Sequence, residues 1–161
     1  MPETTAADLS ADARRYLDAT AATLAALARD EAARLAEVSA LLANRLRAGR
    51  TLFTCGNGGS AADAQHIAAE LSGKFYIARP GIPALALTTN TSALTAIAND
   101  FSYDEVFSRQ LEAQARPGDV LFALTTSGRS PNCRKAVEWA RANGVTTVAF
   151  TGARGADFAA L

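Results

Sequence analysis

The chain has 161 residues, of which 49% are hydrophobic and 20% charged, so it is long and apolar enough for one folded domain with a short appendage. This excludes a second full domain and a wholly disordered chain. Lys and Arg number 16, as do Asp and Glu, and the resulting net charge of zero disfavours nonspecific binding to nucleic acid or to an anionic membrane.

The apolar runs are short and fall below the roughly 18 residues that a membrane span needs. The N-terminal segment lacks the basic and then apolar pattern of a secretory signal. Cys55 and Cys133 are far apart in the sequence and have no metal-site spacing, so we expect two buried, reduced thiols. These features predict a cytoplasmic protein.

Residues 6–48 are rich in Ala, Leu, Arg, Asp and Glu and predict two helices that form a hairpin. Apolar residues recur at helical spacing in two stripes, which are separated by Asp30 and Glu31 and end before Gly49. Each stripe covers its own domain or packs in part on another subunit, and the sequence leaves both alternatives open. The stripes comprise Leu9, Tyr16, Leu17, Leu24 and Leu27, then Leu35, Val38, Leu42 and Leu46.

After Gly49, short β-rich runs alternate with helical stretches, which is typical of βαβ units around a parallel sheet. We predict strands at 51–55, 84–88, 120–125 and 146–151. We predict helices at about 60–74, 91–98, 103–115 and 131–143, the last closed by Gly144. The predicted fold class is therefore α/β with a central parallel sheet.

The first candidate ligand-binding loop is GNGGS, residues 56–60, between a predicted strand and a predicted helix. Its glycines let a ligand approach the backbone closely, and Ser60 is predicted to cap the helix with Asp63 at the capping-box position. Such a loop suits an anion at a helix N-terminus. The alternative is a tight turn with a serine cap and no ligand.

A second loop, TTSGRS at residues 125–130, also follows a strand, with Ser130 as the predicted N-cap and Pro131 at the first helical position. Capping requires only one hydroxyl, so the other hydroxyls favour a phosphate monoester over a purely structural turn. Neither loop matches the dinucleotide or NTPase glycine patterns. A small phosphorylated ligand is therefore preferred.

His66 is the only histidine, and Glu70 follows it by four residues, so the two share a helix face with Asp63. Ile67, Leu71 and Phe75 are predicted to form the opposite, buried side. A pair at this spacing is either a solvated surface pair or, so near the first loop, an acid/base group or two metal ligands. Two ligands do not complete a zinc site.

Five motifs in order, GNGGSAADAQHIAAEL, RPGIPALALTT, LTAIANDFSYDEVFSRQ, GDVLFALTTSGRSPN and VAFTG, resemble the sugar isomerase (SIS) domain family. The resemblance implies a flavodoxin-like three-layer sandwich at residues 50–161, with residues 1–49 as N-terminal helices used in a homotetramer. It also implies an aldose–ketose isomerase that converts sedoheptulose 7-phosphate to D-glycero-D-manno-heptose 7-phosphate through an enediol. That reaction is the first step of ADP- and GDP-heptose biosynthesis.

The resemblance assigns the base to Glu70 and two ligands of one zinc ion per subunit to His66 and Glu70. The family's remaining ligands, a Gln and a His, lie on a final helix after a fifth strand, and this sequence ends before them. The resemblance therefore implies either a truncated domain, with the chain a fragment of a longer enzyme, or a chain that lacks a complete site. The substrate contacts implied by the resemblance are Asn57, Gly58, Gly59, Ser60, Glu70, Asn99, Asp100, Thr125, Thr126, Ser127 and Ser130.

Two alternatives accompany this interpretation. The first is a non-catalytic SIS platform that binds protein, resembling a paralogue that associates with the replication initiator; that paralogue lacks the carboxylate of Glu70 and has Arg in place of Ser127. Since this chain keeps both residues, the enzyme is favoured. The second alternative concerns Asp100, which either holds substrate hydroxyls or merely ends a helix.

Overall fold

The computed structural model describes residues 5–152 together with Gly155 and Phe158. The chain divides into two compact units between Leu41 and Leu42. The first unit is helical, and the second contains the whole β-sheet. The predicted boundary near residue 49 and the assignment of the helices to oligomerisation remain predictions.

Two N-terminal helices are confirmed, α1 at Ala6–Asp30 and α2 at Ala32–Arg47. A capping box begins α1, because the Thr5 hydroxyl accepts from the Asp8 N–H while the Asp8 carboxylate accepts from the Thr5 N–H. The predicted hairpin turn is corrected, since only Glu31 separates the two helices. The Glu31 N–H donates to the Leu27 oxygen, the Leu35 N–H donates to the Glu31 oxygen, and no multi-residue reversing turn intervenes.

The apolar stripe of α1 is exposed in the single chain. Leu9, Leu17 and Leu24 are 59%, 70% and 61% exposed, and neither α1 nor α2 contains a buried residue. Apolar side chains at helical spacing that stay exposed are available to a partner.

The central sheet has four parallel strands, as the sequence predicted, and their order is β2-β1-β3-β4. The strands are β1 at Leu52–Cys55, β2 at Ala84–Ala86, β3 at Val120–Thr125 and β4 at Thr146–Thr151. Each residue of β1 pairs with a residue of β3 in the parallel ladder, and Cys55 lies opposite Ala123. The prediction for β2 was two residues too long, since Thr88 lies beyond its end.

The remaining helices connect the strands. The predicted single helix at 103–115 is two elements, because Ser102 caps a separate 3₁₀ turn before α5 begins. The predicted helix at 91–98 extends two residues further. The observed bounds are α3 at Gly59–Ser72, α4 at Thr91–Asp100, the 3₁₀ turn at Tyr103–Glu105, α5 at Ser108–Gln114 and α6 at Pro131–Ala142.

The packing of α3 positions the predicted site residues. Its inner face is made of Ala64 and Ala68, and such small side chains let the helix lie close to β1 and β2. The hydroxyl of buried Thr54 on β1 donates to the Ala64 oxygen at 2.8 Å. Phe75 was wrongly predicted to be buried, because it lies beyond the end of α3 and is 60% exposed.

Both cysteines are free and buried, as predicted. They are distant only in sequence, because Cys55 ends β1 and Cys133 lies in the first turn of α6. The neighbouring Cys133 thiol, together with burial, raises the pKa of the Cys55 thiol well above its usual value. Cys55 is therefore a neutral group at physiological pH. Across the described residues, no helix is long and apolar enough to cross a membrane.

Candidate functional site

The two predicted ligand loops lie at the same edge of the sheet. β1 and β3 are parallel neighbours, so residues 56–60 and 126–130, which follow them, start from adjacent strand ends. In parallel α/β sheets this carboxyl edge is where ligands bind. The sequence therefore predicted the position of both loops correctly.

The first loop is shaped by close backbone contact. A Cβ on Gly56 would lie 2.7 Å from the Ser60 oxygen, and Gly58 has a φ of 57°, a conformation that favours glycine. Helix α3 begins after Gly58, which provides no side-chain cap. The predicted capping role of Ser60 is therefore wrong. The Ser60 and Ala61 N–H groups donate to the Asn57 and Gly58 oxygens at 3.1 and 3.0 Å, whereas the N–H groups of residues 57–59 have no acceptor among the described residues and are available to an anion.

The second loop uses its hydroxyls partly for its own turn. The hydroxyl oxygens of Thr125 and Ser127 accept from the N–H groups of Gly128 and Arg129, each at 3.2 Å. Each hydroxyl still carries a proton that it can donate to a ligand. Ser130 is the N-cap residue of α6, as predicted, but its side chain makes no capping hydrogen bond.

An open cleft of about 250 Å³ joins the two loops. Its polar wall combines predicted ligand residues with others that the sequence analysis did not select, while Leu124 and Phe150 form its apolar wall. The polar lining residues are Ser60, Asp63, Thr125, Thr126, Thr151 and Gly152. Thr151 ends β4 and Gly152 follows it at the same sheet edge, so the position of that strand was the signal that could have identified them.

Asn57 is held by residues that the sequence analysis missed. Its side-chain amide exchanges two hydrogen bonds with that of Asn132, at 2.9 and 3.0 Å. The Tyr103 hydroxyl donates to the same Asn57 oxygen at 3.1 Å. These partners lie 75 and 46 residues away along the chain, so no local spacing could have predicted them.

His66 and Glu70 form a pair on α3, with Nε2 and Oε1 3.5 Å apart. The His66 side chain is 73% exposed and that of Glu70 is 31% exposed. Ten residues of helix separate Ser60 from Glu70, a rise of about 15 Å, and neither His66 nor Glu70 lines the cleft. Phosphate binding and proton transfer would therefore occur at different ends of α3.

The pair offers an imidazole and a carboxylate, which are both zinc ligands. A complete zinc site needs three or four ligands, and the part of the chain that the structure describes contains no group of three or more His, Cys, Asp or Glu side chains. The described residues therefore fit two positions of a zinc site and do not complete one.

Asn99 and Asp100 form the C-terminal end of α4, where the Asn99 amide donates to the Asp100 carboxylate at 2.8 Å. Both side chains are exposed. Asp100 does end a helix, but a negative charge there is opposed by the helix dipole. Helix termination alone does not explain why an acid stands at this position.

Comparison with known proteins identifies the relatives of this chain. A family model described as SIS domain matches residues 15–152. A protein from Rhodospirillum rubrum named phosphoheptose isomerase is 54% identical over 130 residues, covering 81% of this chain and 69% of that protein. One with the same name from Desulfovibrio desulfuricans is 54% identical over 132 residues, covering 82% of this chain and 63% of that protein.

Solved structures give the same family. Phosphoheptose isomerase GmhA from Neisseria gonorrhoeae superposes with a TM-score of 0.85 at 39% identity, covering 95% of this chain and 79% of that one. A phosphoheptose isomerase from Francisella tularensis gives a TM-score of 0.88 at 30% identity, with coverages of 94% and 78%. The α/β fold with a parallel sheet and N-terminal helices is thereby established.

Proposed function

The chain belongs to the SIS domain family, and on that premise we propose that it is a sugar-phosphate isomerase that converts sedoheptulose 7-phosphate to D-glycero-D-manno-heptose 7-phosphate. The observation that carries the proposal is the shared cleft beside the start of α3, which is lined by Ser60 of the glycine-rich first loop and by Thr125 and Thr126 of the hydroxyl-rich second loop. The family relationship supports the reaction type, because the relatives described above are named as isomerases.

In this proposal the two loops hold the phosphate through neutral donors. Asn57 contributes its backbone N–H, since its side chain is engaged with Asn132 and Tyr103. Several neutral donors at a helix N-terminus can bind an anion without a lysine or arginine. The other proposed phosphate contacts are Gly58, Gly59, Ser60, Thr125, Thr126, Ser127 and Ser130.

Glu70 is the proposed base. Its carboxylate removes a proton from C1 of the ketose while the C2 carbonyl oxygen gains one, which gives an enediol. Return of the proton to C2, with loss of the O1 proton, gives the aldose. Asn99 and Asp100 are proposed to hold sugar hydroxyls, a role that would account for an acid at the end of α4.

The proposal also includes a bound zinc ion, a homotetrameric assembly and a cytoplasmic location. His66 and Glu70 would hold zinc together with ligands from outside the described residues, and bound zinc would polarise a sugar oxygen. The exposed stripe on α1, which includes Leu9, Leu17 and Leu24, would pack against another subunit. The chemistry assigned to Glu70 and to the two loops does not depend on these parts.

A protein-binding platform is the second candidate function. It would also leave an apolar helix face exposed, as α1 does. It would have no need of a carboxylate on α3, whereas Glu70 is partly buried and paired with His66. This pairing favours the enzyme.

The test is an NMR time course of the purified chain with sedoheptulose 7-phosphate and zinc in heavy water. We expect aldose signals and exchange of the carbon-bound hydrogen with solvent. Glu70→Gln should abolish turnover and leave inorganic phosphate binding intact. The matched control is Glu112→Gln on α5, an exposed carboxylate paired only with Arg109 among the described residues, and it should keep the parent rate.

Turnover by Glu70→Gln at the parent rate would contradict the assignment of the base. If the parent bound phosphate and produced no aldose under these conditions, the isomerase proposal would fail for this chain. If it bound neither phosphate nor sugar phosphate, the protein-binding platform would become the better interpretation.

A further inference from the structure

The side chain of Asn57 is held by hydrogen bonds with Asn132 and Tyr103, which we call the Asn57 clamp. The proposed reaction assigns no role to this clamp. Asn132 is only 2% exposed and is the second residue of α6. Its amide oxygen accepts from Asn57 Nδ2 and from the N–H of Cys133, both at 2.9 Å, and its Nδ2 donates to the Asn57 oxygen at 3.0 Å. The two asparagines thus tie the loop after β1 to the start of α6.

Asn57 supplies the only side chain between Gly56 and Gly59. The glycines of this loop lose more conformational freedom on ordering than other residues. Without the clamp, side-chain contacts would not hold the loop in one conformation. The amide pair is therefore the restraint that sets the direction of the loop N–H groups.

The clamp also reaches a third segment. The Tyr103 hydroxyl donates to the Asn57 oxygen at 3.1 Å, and Tyr103 follows α4, which ends with Asn99 and Asp100. With Asn132 and Tyr103 both donating to it, the Asn57 oxygen has two hydrogen bonds, its full acceptor capacity. Asn57 Nδ2 donates to the Asn132 oxygen at 2.9 Å and to Cys133 Sγ at 3.9 Å, so both donor hydrogens are also engaged. The side chain of Asn57 therefore serves the protein, and its backbone is left for a ligand.

We propose that Asn132 is a positioning residue that presents the backbone N–H groups of residues 57–59 to phosphate. The inference rests on the phosphate site proposed above and adds to it a buried residue on another element. It predicts that Asn132 acts on ligand binding through Asn57. A residue that only stabilised the fold would lower the melting temperature and leave affinity unchanged.

A double-mutant cycle separates these roles. Asn57→Ala, Asn132→Ala and the double variant are titrated with inorganic phosphate, and kcat and KM are measured with sedoheptulose 7-phosphate. We expect each single change to raise the phosphate Kd and the sugar KM about tenfold, equivalent to about 1.4 kcal/mol, with kcat within about twofold. The double variant should match Asn57→Ala, which also removes the bond from Tyr103, because Asn132 acts only through Asn57.

Asn143→Ala is the matched control. Asn143 follows the C-terminal end of α6, the helix that contains Asn132 near its start. Its exposed side chain donates to the Trp139 oxygen at 2.8 Å. It should keep the parent Kd. If Asn132→Ala does not fold, Asn132→Ser replaces it, because serine is favourable at the start of a helix, removes the amide that bonds to Asn57 and adds no charge near the phosphate. We then expect a rise of at least threefold in Kd.

Additive effects in the cycle, or a lower melting temperature with an unchanged phosphate Kd, would overturn the inference. Failure of the proposed function would give results that differ from failure of the positioning role. A parent that bound phosphate without isomerising the sugar would refute the isomerase alone, and the phosphate cycle would still decide the role of Asn132. A parent that bound no phosphate would overturn the positioning role as well.

Discussion

The guanidinium group of Arg79 donates a hydrogen bond to the backbone oxygen of Glu70 at 2.8 Å. It also donates to the Leu71 oxygen at 2.8 Å. These carbonyls lie in the last turn of α3, where carbonyl groups lack intrahelical donors and a positive charge is favourable. Arg79 thus holds the helix end that carries the proposed base.

Arg79→Ala should therefore destabilise the protein and lower turnover. Loss of the charge-assisted bonds should cost about 1–2 kcal/mol in the free energy of unfolding, measured by urea denaturation. Loosening the last turn of α3 should lower kcat more than it raises KM, since the phosphate loops lie at the other end. Arg141→Ala is the control, because Arg141 is an exposed residue in the last turn of α6 whose guanidinium donates to no carbonyl among the described residues. It should cost less than about 0.5 kcal/mol and leave turnover unchanged. Unchanged stability in Arg79→Ala would contradict the capping role.

Gly56→Ala tests the close approach in the first loop. The added Cβ would lie 2.7 Å from the Ser60 backbone oxygen, so the loop must shift, at a cost of about 1–3 kcal/mol. Phosphate should consequently bind more weakly. The stability control is Gly59→Ala, where a Cβ would have nothing within 4 Å and alanine suits a helix better than glycine. Equal unfolding free energies for the two variants would contradict the close contact.

The sequence predicted the elements that depend on local pattern. The four strands appear because apolar β-rich runs alternate with helical segments, and both ligand loops follow strand ends for the same reason. The break in the predicted helix at 103–115 was missed although its signal was local, since the Ser102 hydroxyl accepts from the Asp104 N–H and caps a separate 3₁₀ turn. Phe75 was misplaced because helical spacing was extended past the actual end of α3.

The contacts that complete the site come from tertiary structure. The contact of Cys55 with Cys133, and the clamp of Asn57 by Asn132 and Tyr103, join segments on different elements. A periodic pattern contains no information about such pairs, because it describes one element at a time. The substrate contacts, the zinc ligands and the catalytic role of Glu70 remain predictions.

Thr54→Val tests how β1 holds α3. The buried Thr54 hydroxyl donates to the Ala64 oxygen at 2.8 Å, and valine keeps nearly the same shape without the donor. We expect a loss of about 1 kcal/mol in unfolding free energy. Thr95→Val is the matched control for Thr54→Val, because the exposed Thr95 hydroxyl donates within its own helix, to the Thr91 oxygen. It should change stability by less than about 0.5 kcal/mol, and an equal effect of both changes would contradict the link.

The ion pair between Glu105 and Lys135 predicts a pH dependence of stability. Lys135 Nζ lies 2.9 Å from Glu105 Oε1 and joins the 3₁₀ turn that contains Tyr103 to α6. The hydrogen bond from Lys135, with its positive charge, lowers the pKa of Glu105. The folded pKa is thus below the unfolded one, so the pair stabilises the protein above the usual glutamate pKa of about 4.3. This contribution is lost as the pH falls through the lowered value.

Glu105→Gln should accordingly lower the melting temperature at pH 7 by about 1–3 °C, as expected for a partly exposed pair. The difference from the parent should shrink as the pH falls below about 4, because the parent carboxylate is then protonated as well. Added salt should reduce the difference at pH 7. Glu37→Gln, at an exposed position on α2, is the control and should follow the parent at every pH. A difference that stayed constant from pH 7 to pH 3 would mean that Glu105 acts by packing and not through its charge.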